Sequence, residues 1–227
     1  MRKLLPALAL ISMICCQEKS RKENKIPLTK ETTEPSKPGI VKDALYIGFN
    51  PEKISNLKIK GFDVEQAFFV EGNRIVAGYY QPIDGKMTLP DTEEDFGKRI
   101  LMLNNKNEVI YQSKGCGEAY LYEPYFYKNS QNGNIIIVCQ QAFEYFFGGD
   151  AFLLEKGKIK YLGNLDIEPK NEEKKLTDVL KIKESNDGIT FTFDTDSLLL
   201  KPGSEDIIIK NNHVQYVYDH HLLKLHQ

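Results

Sequence analysis

From Ala44 to Gln227, short runs of β-branched and aromatic residues alternate with polar turns rich in Asn and Gly. AFFVEGNRIVAGYY turns at Glu71-Gly72-Asn73, RILMLNNKNEVIYQ at Asn104 to Asn107, and YFYKNSQNGNIIIVC at Asn129 to Gly133. AFLLEKGKIKYLG turns at Glu155-Lys156-Gly157, LKIKESNDGITFTF at Ser185 to Gly188, and DIIIKNNHVQYVYD at Asn211-Asn212. Asn and Gly tolerate the positive φ that tight hairpin turns demand. Within the runs the period is two: Ile189, Phe191 and Phe193 alternate with Thr190 and Thr192, while Val214, Tyr216 and Tyr218 alternate with Gln215 and Val217. That period specifies strands.

Six such hairpins predict an all-β fold, an antiparallel meander of about a dozen strands. A sheet of that size curls or splits, so a barrel, a sandwich or a propeller-like arrangement follows. The turns recur every 24 to 33 residues, short of the roughly 40 residues of a four-stranded blade, which ranks a curled sheet, barrel or sandwich above a propeller. One short helix is predicted around Glu172 to Lys181, where Leu176, Val179 and Leu180 share a face. A turn of another is predicted over Thr92 to Lys98.

The pattern is different before residue 44. Met1, Arg2 and Lys3 form a cationic start, and Leu4 to Ile14 an apolar run broken by Pro6 and Ser12, the n-region and h-region of an export signal. The run is too short to cross a bilayer, which takes about 20 apolar residues. It ends in Cys15-Cys16, followed by Gln17-Glu18-Lys19. Over these first twenty or so residues the chain resembles bacterial lipoproteins, whose signal ends in a cysteine that is acylated and becomes the new N-terminus.

That resemblance implies Cys16 as the acceptor, with Met13 in the leucine place of the motif and Cys15 in the small-residue place. The alternative is Cys15, which sets bulky Ile14 where a small residue belongs; an ordinary cleaved signal would discard both cysteines. Acylation implies attachment to a membrane through N-terminal acyl chains, which hold firmly when there are two or more, and hence a place in the bacterial cell envelope. Gln17-Glu18-Lys19 resembles the charged export tags of some surface lipoproteins, favouring the outer membrane or cell surface over the inner membrane. Residues 16–43 carry dense charge, three prolines and no aromatic residue, which predicts a flexible tether reaching roughly 28 Å over about 25 residues. Residues 44–227 then suit a single domain. FGGDAFLLEKGKIKYLGNLDI also resembles bacterial lipoproteins with hairpin-rich domains, a likeness that brings no activity and no catalytic residues.

Composition narrows the partners. The formal charge is −2 and no basic face declares itself, so there is no footprint for nucleic acid. The chain has twelve tyrosines, twelve phenylalanines and no tryptophan. FEYFFGGD and the nearby AYLYEPYFY concentrate those rings, and Tyr120, Tyr122, Tyr145, Phe146 and Asp150 are the candidate binding residues, in a cluster that serves either as core or as contact surface. The function these features predict is a non-catalytic binding or protective domain with a protein partner in the envelope, of which an immunity or inhibitor protein is one version. The rival is a hydrolase using two carboxylates from Glu144, Asp150 and Asp166.

No cofactor or metal is indicated. Asp219, His220, His221 and His226 lack the spacing of a zinc motif and suit a frayed tail. Asp194 and Asp196 open like a calcium loop, but Leu198 and Leu199 stand where an acid and a glycine are required. Cys116 and Cys139 are the cysteines left for a disulfide, and here the pattern leaves both outcomes open. Hairpin register sets Cys139 opposite about Glu123 and Cys116 roughly 20 Å farther along, too far to bridge. A ladder interrupted at Pro124 would instead let Gly115-Cys116-Gly117 fold back over the sheet.

Overall fold

The computed structural model describes residues 43–86, 92, 94–144, 146–167, 174–194, 198–200, 208–210 and 214–226. In chain order these form β1 (Ala44–Phe49), β2 (Glu52–Lys53), β3 (Phe62–Val70), β4 (Asn73–Tyr80), β5 (Arg99–Leu103), β6 (Val109–Gln112), β7 (Leu121–Asn129) and β8 (Ile135–Ala142). There follow β9 (Phe146–Glu155), β10 (Lys158–Leu165), α1 (Leu176–Val179), β11 (Leu180–Ser185), β12 (Gly188–Phe193), β13 (Leu198–Leu200), β14 (Ile208–Lys210), β15 (Gln215–Tyr218) and β16 (Leu223–His226). The fold is antiparallel β with one short helix among the described residues.

The turns act as the sequence predicts. Val70 faces Asn73 across Glu71-Gly72, whose φ values of 47° and 79° match a two-residue turn that continues the strand twist. Glu155 faces Lys158 across Lys156-Gly157 in the same way, with φ of 50° and 72°, while Ser185 faces Gly188 across a turn whose positive φ falls on Gly188 itself.

Nine strands form one sheet in the order β10-β9-β8-β7-β1-β11-β12-β15-β16. It curls until its two edge strands meet through side chains, nearly closing a barrel. Lys160 Nζ bonds Tyr218 Oη and the His220 carbonyl (3.2 Å), and Asp166 N–H donates to Tyr216 Oη (3.2 Å). At Gly163 the approach is so close that a Cβ would lie 2.8 Å from Leu223 Cδ2. A second sheet, β2-β3-β4-β5-β6, lies against the outside of the barrel, and β13 pairs with β14.

Three apolar layers result. Tyr46, Ile136, Val138, Leu165, Ile182 and Phe191 fill the barrel. Phe68, Ile75, Met102, Phe126, Ile137 and Phe152 pack between barrel and second sheet. Val76, Leu101 and Leu103, on the far face of the second sheet, are covered by Ile54 and Leu57. β8 is buried along its whole length because its even residues face the barrel interior and its odd ones the second sheet. Its unbroken apolar run, IIIVC, follows from that two-sided burial.

Four local expectations are corrected. The helix occupies only Leu176–Val179, and Leu180 already opens β11. Thr92 makes a turn without a helix, its Oγ1 accepting from Glu94 and Asp95 N–H. Ile208–Lys210 and Gln215–Tyr218 do not pair with each other: β14 pairs with β13, and β15 with β12 and β16; Asp206, Ile207 and Asn211 to His213 lie outside the described residues. The tail is an ordered hairpin, because Asp219 Oδ1 accepts from His221 and Leu222 N–H and starts a turn into β16.

Candidate functional site

Asp150 was the sequence candidate for holding a polar ligand, and its surroundings decide the matter. Its Oδ2 accepts from Tyr122 Oη (2.8 Å) and Gln141 Nε2 (3.2 Å), and its Oδ1 from Tyr161 Oη (3.1 Å) and Asn164 Nδ2 (3.0 Å). An ionised carboxylate has about four acceptor positions, and here donors from β7, β8 and β10 fill those of Asp150 on β9. Asp150 is therefore a bolt through four strands. Tyr122, 2% exposed, is part of that bolt, so the structure brings these two candidates together as interior.

The other candidates separate. Tyr120 is 55% exposed and contributes its carbonyl to Lys98 Nζ (2.6 Å). Phe146 is half-buried opposite Ala142, with Lys175 Nζ 5.5 Å from its ring centre. Tyr145 and both N-terminal cysteines lie outside the described residues. Of the hydrolase carboxylates, Glu144 is exposed, Asp150 is fully engaged, and burial raises the Asp166 carboxyl above its ordinary value. None of the three is in the lining of the groove at Phe49 to Lys53, of that along Lys53 to Phe68, or of that beside Asn132 to Asn134.

Cys116 and Cys139 are free thiols packed on the same core cluster. Cys139 stands opposite Pro124, and the ladder runs through that proline unbroken. The reason is parity. Ser130 N–H bonds Leu45 on the β1 side, while Asn129 N–H bonds Asn134 on the β8 side, so even residues of β7 face β1. Pro124 turns its nitrogen to that side, where β1 has already ended at Phe49 opposite Phe126. A proline missing its donor is harmless on an open edge.

Burial pushes the Cys116 thiol from 9.0 up to about 12, and Tyr111 and Tyr216 from 10.0 up to about 12. Tyr46, Tyr122, Tyr127 and Tyr161 move the same way for the same reason. The unfolded chain gives up these protons first as pH rises, so the native state holds more of them above about pH 9. Stability is therefore complete below that pH and lost progressively towards about pH 12. Urea midpoints measured across this range are expected to fall continuously; a flat profile would contradict the burial of these groups.

The open edge of β7 leads to the groove. β1 belongs to the barrel, β2 to the second sheet, and the chain crosses between them at Asn50-Pro51. Beyond the crossing β7 and β3 diverge like a fork, enclosing about 690 Å3. Gln66 and Phe68 line it from β3 and Glu123, Tyr125 and Tyr127 from the open edge of β7, with Thr177 of α1 also in the lining. Phe126 forms the joint, its ring 5.0 Å from Phe68 and 6.1 Å from Phe49. Lys175, just before α1, ties two of these lining residues together: its Nζ donates to Glu123 Oε2 (3.1 Å) and Tyr125 Oη (2.8 Å). Lys53 is exposed at the mouth, 5.9 Å from the Phe68 ring centre.

Comparison with protein-family models, curated proteins and solved structures finds no match for this chain. The groove must therefore be judged on its own chemistry: aromatic walls, one engaged carboxylate, one cation at the mouth, and an edge strand whose proline withholds a backbone donor. Such a surface holds a ligand by side chains and apolar contact. Sequence reasoning missed Lys53, Phe68 and Lys175. The signal available was Asn50-Pro51, which interrupts the strand pattern between Phe49 and Glu52 and marks a change of sheet.

Proposed function

We propose that the protein is a lipid-anchored component of the bacterial envelope whose β domain binds a ligand, without chemistry, in the fork between its two sheets. The observation that carries this is the groove itself. Its volume of about 690 Å3 falls within the roughly 300–1,000 Å3 of ligand sites, and its apolar rings with a few convergent polar groups are the usual lining. Against hydrolysis, the best-placed carboxylate, Asp150, already accepts four hydrogen bonds. For the anchor, support comes from the charged start, the short apolar run and Cys15-Cys16.

Because the chain has no tryptophan, Tyr125→Trp places a single reporter in the groove. Titration with soluble peptidoglycan fragments, oligosaccharides, short peptides and fatty acids is expected to shift its emission saturably for one class. Invariant emission across the panel, with the fold intact by circular dichroism, would reject the groove. For the anchor, labelled palmitate is expected to enter the protein and Cys16→Ala to abolish the labelling. Incorporation surviving that change would move the acceptor to Cys15, and no incorporation in the parent would remove the anchor.

A further inference from the structure

Antiparallel pairing places directly opposite residues on one face of a sheet, so register alone reveals what the barrel shows to the outside. Across β1, β11, β12, β15 and β16 one outward row reads Leu45, Lys183, Thr190, Val217, Lys224. The next, across β11, β12, β15 and β16, reads Lys181, Thr192, Gln215, His226, and Ile47 of β1 stands opposite Lys128 of β7. No aspartate or glutamate occurs in either row. Leu45 and Ile47 are 49% and 61% exposed, which is unusual for aliphatic residues two apart on one strand with lysines beside them.

The charges are arranged to face outward. Lys128, Lys181 and Lys224 reach carboxylates at the rim, Glu71, Asp194 and Asp219, and such exposed pairs hold weakly. Lys183 meets no acidic side chain among the described residues. β1 is also the first described strand, and it follows directly on the stretch 16–43 that the sequence predicts to be a tether.

We infer that this outward face, with Leu45, Ile47 and Lys183 at its centre, docks on an anionic lipid surface. The inference rests on the anchored reading, because a surface with two aliphatic side chains and a few lysines binds weakly alone. Lysines near an acidic leaflet contribute modestly each, and buried apolar area adds to them. A tether changes the outcome: it converts docking into an intramolecular step at an effective concentration in the millimolar range. The domain then lies on the membrane with β1 against the headgroups.

The experiment uses the mature chain from residue 16 with Cys16→Ser, so that no acyl chain contributes. Without the anchor the binding is weak, so at lipid concentrations of about a millimolar or more a fraction is expected to sediment with vesicles of phosphatidylcholine containing phosphatidylglycerol, none with phosphatidylcholine alone, and salt is expected to release it. Lys183→Ala is expected to weaken partitioning roughly fivefold, and Ile47→Glu to abolish it. Lys106→Ala, in the turn between β5 and β6, is expected to leave it unchanged. Equal partitioning of the parent into both vesicle types, or equal effects of Lys183→Ala and Lys106→Ala, would overturn the docking face. Palmitate labelling in cells reports the anchor separately, so failure of one does not masquerade as failure of the other.

Discussion

Asp150→Ala is expected to lower the unfolding free energy by about 3–4 kcal/mol, seen as a fall of roughly 10 °C in melting temperature for a domain of this size. The carboxylate accepts the hydrogen bonds of both Tyr122 Oη and Tyr161 Oη, and Tyr122 is 2% exposed. Deleting the acceptor leaves a buried hydroxyl without a partner, and a stranded buried donor costs more than a lost bond returns. Tyr122→Phe removes the donor and leaves Asp150 with Gln141, Tyr161 and Asn164, so about 1 kcal/mol is expected there. Tyr161→Phe should cost less again, since Tyr161 is 47% exposed and water replaces its bond. Urea denaturation of the three variants checks the order. If Asp150→Ala were as mild as Tyr161→Phe, the carboxylate would not be fastening the strands, and its availability for a ligand would reopen.

Phe126→Ala is expected to cost about 4 kcal/mol, the range for emptying an aromatic site in a packed interior. Phe126 is 3% exposed and its ring meets Phe49 and Phe68, joining β1, β3 and β7 where the two sheets part. Its neighbour Tyr125 points to the other side of β7, half-buried, with its hydroxyl bonded to Glu123 (2.8 Å). Tyr125→Ala is therefore expected to cost about 1 kcal/mol. The contrast between adjacent positions tests the register of β7 through stability alone: comparable losses at 125 and 126 would mean that the strand is not seated as described. Ligand binding separates the two further, because Tyr125→Ala should abolish the groove's affinity in a protein that remains folded.

Local pattern carried the hairpins and failed at their assembly. Glu71-Gly72 and Lys156-Gly157 announce their turns because φ is a property of the residues themselves, and the alternation of ITFTF survives in the burial of Ile189 and Phe191. Which strand neighbours which is a long-range matter. Nothing in ALYIGF says that it inserts between β7 and β11, whose nearest ends, Asn129 and Leu180, are 51 positions apart in the chain. The β15–β16 hairpin went unseen because its turn is made by Asp219 bonding its own backbone, without the Asn-Gly signature. Asp150 stood out in the sequence as a binding candidate, but its hydrogen bonds come from Tyr122, Gln141, Tyr161 and Asn164, which only strand register brings together. The groove was hidden more deeply still, since it exists where two strands diverge, and divergence leaves no periodic mark beyond Asn50-Pro51.

The insertion of β1 has a mechanical consequence. Its ladder to β11 runs from Ala44 to Tyr46 and its ladder to β7 from Tyr46 to Phe49, so a pull arriving from the N-terminal side loads both sets of hydrogen bonds in shear, all at once. The last described strand, β16, is held by backbone bonds to β15 alone among the described residues and would unzip one rung at a time. A domain hauled or buffeted by its leading end is thus gripped at its strongest point, while its trailing end is the place where unravelling by traction would begin.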